Sequence, residues 1–122
     1  MKLAIVGWRK FNDFRSFETE LNKTLDQWQI KLESIEMVIS GGAMGTDSLA
    51  SKWAKSHKIP LKVFYPDWDK HGKKAGPLRN SQIVDECTHI IAFPSRQGRG
   101  TQDSIRKAKQ NKKIMAIHWI GD

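Results

Sequence analysis

Apolar residues arrive in two rhythms along this chain, and the rhythms alternate. Leu3-Ala4-Ile5-Val6 is a short unbroken apolar run closed by Gly7, the pattern of a strand buried on both faces. From about Phe14 to Leu32 the apolar positions Phe14, Phe17, Leu21, Leu25, Trp28 and Leu32 fall at spacings of three and four. That spacing predicts one stripe of an amphipathic helix, with Asn12 or Asp13 as its N-cap. Met37-Val38-Ile39 predicts a second strand, broken by Ser40-Gly41-Gly42. Thr46 or Asp47 then opens a helix whose inner face carries Leu49, Ala50, Trp53 and Ala54, and Pro60 lies beyond its end. Leu61 to Tyr65 alternates as a third strand, stopped by Pro66, and a polar loop is expected from Asp67 to Gly76. A helix is expected from about Pro77 to Glu86, with Pro77 suited to a first turn. His89-Ile90-Ile91-Ala92-Phe93 reads as strand four, Thr101 to Gln110 as a helix, and Ile114 to Trp119 as strand five.

Strands separated by helices, most of them apolar throughout, predict an α/β fold: a three-layer Rossmann-like sandwich around a mainly parallel five-stranded sheet. The first strand takes the centre, and ligands in such sheets bind at the carboxyl ends of the strands beside the switch in strand order. Every glycine-rich or charged turn singled out below follows a strand, so all converge on that one edge. At 122 residues the chain is sized for one domain, roughly 100–200 residues, and neither repeats nor linkers divide it. No apolar run approaches the ~20 residues of a membrane span, and Leu3 to Val6 is too soon interrupted by Trp8-Arg9-Lys10 for a signal peptide. The lone Cys87 forms no internal disulfide and reads as a small core residue, so a cytoplasmic setting is expected.

Charge changes the picture more than composition does. The chain carries a formal net charge of +8, but residues 1–69 hold 10 basic and 9 acidic groups, whereas residues 70–113 hold 11 basic and 3 acidic. The excess flanks the later glycine-rich turn. Such a field attracts phosphates, nucleotides or nucleic acid; a solvated face that merely keeps the protein soluble has the same charge count.

Ser40-Gly41-Gly42-Ala43-Met44-Gly45-Thr46-Asp47 runs from a strand into a helix start. Glycines there let backbone amides approach an anion while the helix dipole faces it, although a tight turn needs the same glycines for geometry alone. It is neither G-x-G-x-x-G nor a Lys-containing P-loop. Pro94 and then Gln97-Gly98-Arg99-Gly100-Thr101 follow strand four, with Asp103 in the first turn of the next helix. Thr101 either caps that helix or turns its hydroxyl to a phosphate. After strand one, Arg9 is placed for a phosphate contact and Trp8 for stacking on a base, or else they are a surface charge and a rim hydrophobe. Arg79, beside Asn80 at a helix start, runs against the dipole preference for acids and so invites an anion.

Four ordered motifs carry a resemblance: Gly7-Trp8-Arg9-x-Phe11-x-Asp13, Ile39-Ser40-Gly41-Gly42-Ala43-x-Gly45-x-Asp47-x-Leu49-Ala50, Ala75-Gly76-Pro77-x-Arg79-Asn80, and Ala92-Phe93-Pro94 with Gly98-x-Gly100-Thr101. Together they resemble the SLOG superfamily, closest to its short YspA-type (cpYpsA-related) branch, over nearly the whole chain. The resemblance implies a Rossmann-like fold binding nucleotides or nucleotide-derived ligands, such as ADP-ribose derivatives, at these turns. Its relatives include the "lonely guy" phosphoribohydrolases and the DNA-binding protein DprA, so it spans enzymes and binders.

The phosphoribohydrolase branch carries Pro-Gly-Gly-x-Gly-Thr-x-x-Glu, whose glutamate acts with an upstream arginine. Here Ser104 stands at the glutamate position, Gln97 replaces a glycine, and Arg79 is kept. Breaking an N-glycoside needs a carboxylate; Asp103 and Asp47 are the candidates. Asp103 is turned by roughly 100° from the glutamate position and equally suits the helix dipole. A binder is thus expected ahead of a hydrolase using Arg79 and Asp103, with nucleic-acid binding through the basic half as a third class lacking any helix-turn-helix, RRM or zinc pattern. The four histidines and one cysteine make no zinc spacing. No cofactor is identified: Asp67 and Asp69 can ligate Mg²⁺ through a bound phosphate, but a solvated acidic loop explains them as well. The resemblance implies a homodimer or larger homo-oligomer, and five tryptophans leave material for an apolar interface. Of the two glycine turns, Ser40 to Asp47 reads as the more intact phosphate cradle.

Overall fold

A computed structural model describes residues 1–121. Five strands, β1 (Lys2–Gly7), β2 (Met37–Ser40), β3 (Leu61–Val63), β4 (His89–Phe93) and β5 (Ile114–Ile117), form one sheet in the order β3-β2-β1-β4-β5. Every pairing is parallel, and Leu3 of the central strand sits opposite Val38 on one side and His89 on the other. The chain winds outward from β1 to β3, returns to the other side of β1, and winds outward again. The switch in strand order therefore lies between β1 and β4, as the alternation of patterns predicts.

The helices are α1 (Phe14–Gln27), α2 (Thr46–Ser56), α3 (Trp68–His71), α4 (Ala75–Glu86) and α5 (Gly100–Gln110). Alternation along β1 assigns them to two layers. Leu3 and Ile5 face α1 and α2, meeting Phe17, Leu21, Leu25, Trp53 and Ala54. Ala4 and Val6 face α4 and α5, meeting Ile83, Val84 and Ala108. Cys87 is buried in that second layer. No helix among the described residues is long and apolar enough to cross a membrane.

Helix α1 starts where the sequence places it, with the Asp13 carboxylate accepting the Ser16 N–H at 3.1 Å. It stops at Gln27, five residues short of the apolar stripe's end, because Gln29 adopts φ 58° and the Ile30 N–H closes back on the Leu25 carbonyl. Two further helices end the same way. Lys58 at φ 56° follows α2, with Ile59 N–H on the Ala54 carbonyl, and Lys112 at φ 55° follows α5, with Lys113 N–H on the Ala108 carbonyl. These are left-handed caps made without glycine.

The polar loop expected from Asp67 to Gly76 instead contains α3 and a 3₁₀ turn, Gly72–Lys74. The Asp67 side chain accepts the Lys70 N–H at 3.1 Å and so caps α3 rather than projecting a free carboxylate. Helix α4 begins at Ala75, two residues before Pro77, which sits within its first turn. Strand β3 ends at Val63 rather than Tyr65, and β5 ends at Ile117, although His118 and Ile120 N–H groups still bond the Ala92 and Pro94 carbonyls.

Phe17 is fully buried, with its ring centroid 5.1 Å from that of Phe93. Phe17→Ala is expected to cost about 3–5 kcal/mol of stability, as loss of a core aromatic does. Urea unfolding reads the cost, and a loss below about 1 kcal/mol would show that the α1 layer is not held by this contact.

Candidate functional site

The turns after β1, β2, β3 and β4 meet above the carboxyl edge of the sheet and enclose a cleft of about 990 Å³. Gly7, Trp8 and Arg9 line it from β1, Gly41, Gly42 and Asp47 from the β2 turn, and Arg79 and Asn80 from α4. Gly98, Gly100, Thr101 and Asp103 close its far wall. These predicted residues are brought together by the switch in strand order between β1 and β4.

Three predicted residues do not reach the cleft. Ser40 is buried beneath it, with its side chain turned to the Asp47 carboxylate. Pro94 is buried, and its carbonyl accepts the Ile120 N–H at 2.8 Å. Gly45, at φ +70°, packs against the backbone of Arg9, where an added Cβ would lie 2.2 Å from the Arg9 carbonyl oxygen. This glycine serves a close approach of two chain segments and not a ligand.

The Ser40–Asp47 turn is already occupied by the protein itself. The Trp8 carbonyl accepts both the Thr46 N–H at 3.2 Å and the Thr46 hydroxyl at 2.8 Å. The Asp47 carboxylate accepts the Ala43 N–H at 2.9 Å, and the nearby Ser40 side chain and Gly41 backbone favour its charged form. The start of α2 is thus docked on the β1 turn and filled by an internal anion. The sequence favours this turn as the intact cradle; its geometry shows the Ala43 and Thr46 N–H groups already engaged by the protein.

The second turn is open. Within it the Gly98 N–H donates to the Ser95 carbonyl, while among the described residues the Gly100 and Thr101 N–H groups donate to no protein acceptor. They head α5, an 11-residue helix whose dipole adds partial positive charge. Beyond its chain neighbours and its own helix backbone, no atom lies within 4 Å of the position a Gly100 Cβ would take. Arg9 and Arg99 are exposed at the rim.

A polar relay joins the two turns. Arg79 Nη1 donates to the Gly41 carbonyl and Nε to Asn80 Oδ1 at 3.0 Å. Asn80 is buried, and its Nδ2 donates to Asp103 Oδ2 at 3.1 Å. Lys107 Nζ, 2.9 Å away, and Arg106 complete the partners of Asp103. Burial works to raise the Asp103 pKa, but hydrogen bonds from Lys107 and Asn80 and the two cations outweigh it and hold the group below the usual carboxylate range. Asp47 moves the other way: burial pushes its carboxyl up, against the Ala43 hydrogen bond and the Arg79 charge. Burial also lowers the Arg79 pKa, with Asp47 opposing.

Tyr65 and Trp68, from the β3 turn, also line the cleft and were not singled out by sequence pattern. Their only signal is position, since they follow a strand on the same edge as the glycine turns. Asp67 and Asp69 stand at the start of α3, and no cluster of three or more potential metal ligands occurs among the described residues. Across Trp8 lies a hollow of about 620 Å³ lined by the carboxylates of Asp13 and Glu20 together with Lys10 and His118.

Comparison with known proteins agrees with the fold. The family model described as "YspA, cpYpsA-related SLOG family" matches residues 1–71, more than half of the chain. The Gene 61 protein of Mycobacterium phage D29 is 36% identical over 80 residues, 61% of this chain. That stretch is 64% of the phage protein, so the chain spans less than two thirds of it. The X-ray structure of TM1055, a structural-genomics target, superposes over 93% of this chain and 71% of its own with a TM-score of 0.64 and 17% identity, which establishes a shared fold.

Gly45 and Gly100 separate structure from site. Gly45→Ala is expected to destabilise the fold by at least about 2 kcal/mol, from clash and strained φ. Gly100→Ala should shift stability by less than about 1 kcal/mol, toward greater stability. Urea midpoints for both variants decide; equal losses would contradict the assignment. Asp47 makes a second prediction. Its pKa is raised above 3.8 in the folded chain, so as pH climbs past that value the unfolded chain releases this proton first and stability falls until the folded carboxyl has also ionised, above which the loss stays in full. Asp47→Asn removes that cost. Its stability advantage over the wild type should grow as pH rises from about 3.8 toward neutrality, and a constant difference would contradict it.

Proposed function

The chain belongs to the YspA, cpYpsA-related SLOG family, and on that footing we propose that it binds a nucleotide or nucleotide-derived ligand, with a phosphate on the N-terminus of α5. One observation carries this reading: the unpartnered Gly100 and Thr101 N–H groups open onto a cleft that Arg79, Arg9 and Arg99 make positive. Backbone donors, a helix dipole and guanidinium groups are the means by which proteins hold phosphate. The Trp8 ring, lying on Gly98, offers a base a flat apolar face.

Binding is favoured over turnover by the state of the carboxylates. Asp103 is engaged by Asn80, Lys107 and Arg106, which makes it a poor proton acceptor and a poor aligner of water. Ser104, at the position of the phosphoribohydrolase glutamate, is buried. Hydrolysis of an N-glycosidic bond is the second reading, and the observation favouring it is Asp47: a carboxyl in the cleft wall, beside Arg79, with its pKa raised by burial. A raised carboxyl pKa is a common property of acid–base groups.

Calorimetric titration with adenosine, AMP and ADP tests the binding reading. AMP and ADP are expected to bind at least tenfold tighter than adenosine, and Arg79→Ala to weaken ADP by roughly 10- to 100-fold, the worth of a charge-assisted hydrogen bond. Equal affinity for adenosine and ADP, or no binding by folded protein, overturns it. Base release from AMP, followed by chromatography and abolished by Asp47→Asn, would establish the hydrolytic reading instead.

A further inference from the structure

Each glycine turn holds an aromatic ring where a side chain would otherwise begin. A Cβ on Gly98 would lie 2.7 Å from Trp8 Cδ1, and one on Gly42 would lie 2.4 Å from Tyr65 Cε1. Both glycines are therefore seats for rings. Gly42, at φ +72°, also needs glycine for its backbone. Trp68 extends the Tyr65 side, with its Cη2 3.5 Å from the Cβ position of Gly76. Tyr65 is 70% and Trp68 58% exposed, although rings of that size bury much of themselves when they serve a core. All three line the same cleft.

The two ring seats lie on different turns of the cleft. Gly42 follows β2 and Gly98 follows β4, with β1 between these strands, so the platforms are two interstrand spacings apart, about 10 Å. The Arg79 guanidinium bonds the Gly41 carbonyl next to the first seat, and the open amides of Gly100 and Thr101 follow the second. Bases stacked on one another sit much closer than that, so two bases reach both platforms only when splayed apart along an extended linkage. The cleft, at about 990 Å³, stands at the upper end of the ligand-site range, roughly 300–1,000 Å³. A mononucleotide leaves one platform empty.

Resting on the nucleotide reading above, we infer that the ligand carries two flat heterocycles joined through a phosphate bridge, a dinucleoside diphosphate bound in extended form. One ring stacks on Trp8, the other on Tyr65 and Trp68, and the bridge crosses Arg79 and the start of α5. The exposed arginines and lysines around residues 70–99 also suit a longer polyanion, and single-stranded nucleic acid is the competing occupant for the test to separate.

The test compares ADP, diadenosine diphosphate and a 12-residue oligo-dA by calorimetry on wild type, Tyr65→Ala/Trp68→Ala and Tyr65→Phe. Removing stacking on one base costs roughly 1–3 kcal/mol, so wild type should bind the dinucleoside at least about fivefold tighter than ADP. The affinity ratio should collapse toward one in the alanine variant and survive in Tyr65→Phe. These side chains are exposed, and the unfolding midpoint of each variant confirms that the fold is intact. ADP binding without a dinucleoside advantage overturns this inference and leaves the nucleotide reading standing. An oligonucleotide tighter than the dinucleoside, with an affinity that survives at 300 mM salt, overturns it in favour of nucleic acid. Failure of every nucleotide to bind overturns both readings.

Discussion

The Trp8 carbonyl is the point on which the cleft's geometry depends. It lies one residue beyond the central strand and accepts hydrogen bonds from the backbone and the side chain of Thr46, a fully buried residue at the first position of α2. The same carbonyl also accepts the Phe11 N–H at 3.2 Å, so it closes the turn after the strand while it fixes a helix to the strand's end. Gly45 makes the join possible by letting the two backbones touch. The Trp8 N–H meanwhile donates to the Phe93 carbonyl at 2.9 Å, which ties the same residue to β4. One residue thus spans the switch in strand order, and its ring is delivered to the cleft because its backbone is held on both sides.

From that fixed point the site is assembled by polar contacts across elements distant in sequence. Arg79 of α4 grips the β2 turn, and Asn80, the next residue, grips Asp103 of α5. Adjacent residues on a helix point in directions roughly 100° apart, which is why a neighbouring pair can bridge two turns that a single side chain cannot reach together. Asp103 keeps the Asn80 amide oriented so that its oxygen faces Arg79. The acid that sequence marks as a candidate catalyst is bound into the architecture, whereas Asp47 retains a carboxyl at the cleft wall.

The fold was legible because buried parallel strands must be apolar on both faces, and β1 and β4 carry such runs at the right places. Helix ends were less so. Gln29, Lys58 and Lys112 take a left-handed conformation usually left to glycine or asparagine, so the apolar stripe runs past the end of α1. The four-residue α3 has no apolar stripe to announce it. At the site, most predicted residues meet in one cleft because their turns all follow strands. Their roles were legible only in part: a glycine that admits an anion, one that admits a backbone and one that admits a ring look the same in one dimension. Gly100, Gly45 and Gly42 are one of each.

The carboxylate of Asp47, fastened inside the first glycine turn, gives the cleft a handedness. An empty pair of helix starts would be electrically near-symmetric and would accept an elongated ligand either way round. The Asp47 carboxylate faces the first turn, whereas at the second the Asp103 carboxylate is paired with Arg106 and Lys107 and two amides stay open, so the second end better accepts a further negative charge. The opposite end suits a group that donates hydrogen bonds, such as a sugar hydroxyl. An asymmetric ligand lying along the cleft would therefore meet different charge at its head and at its tail before any ring or base made contact.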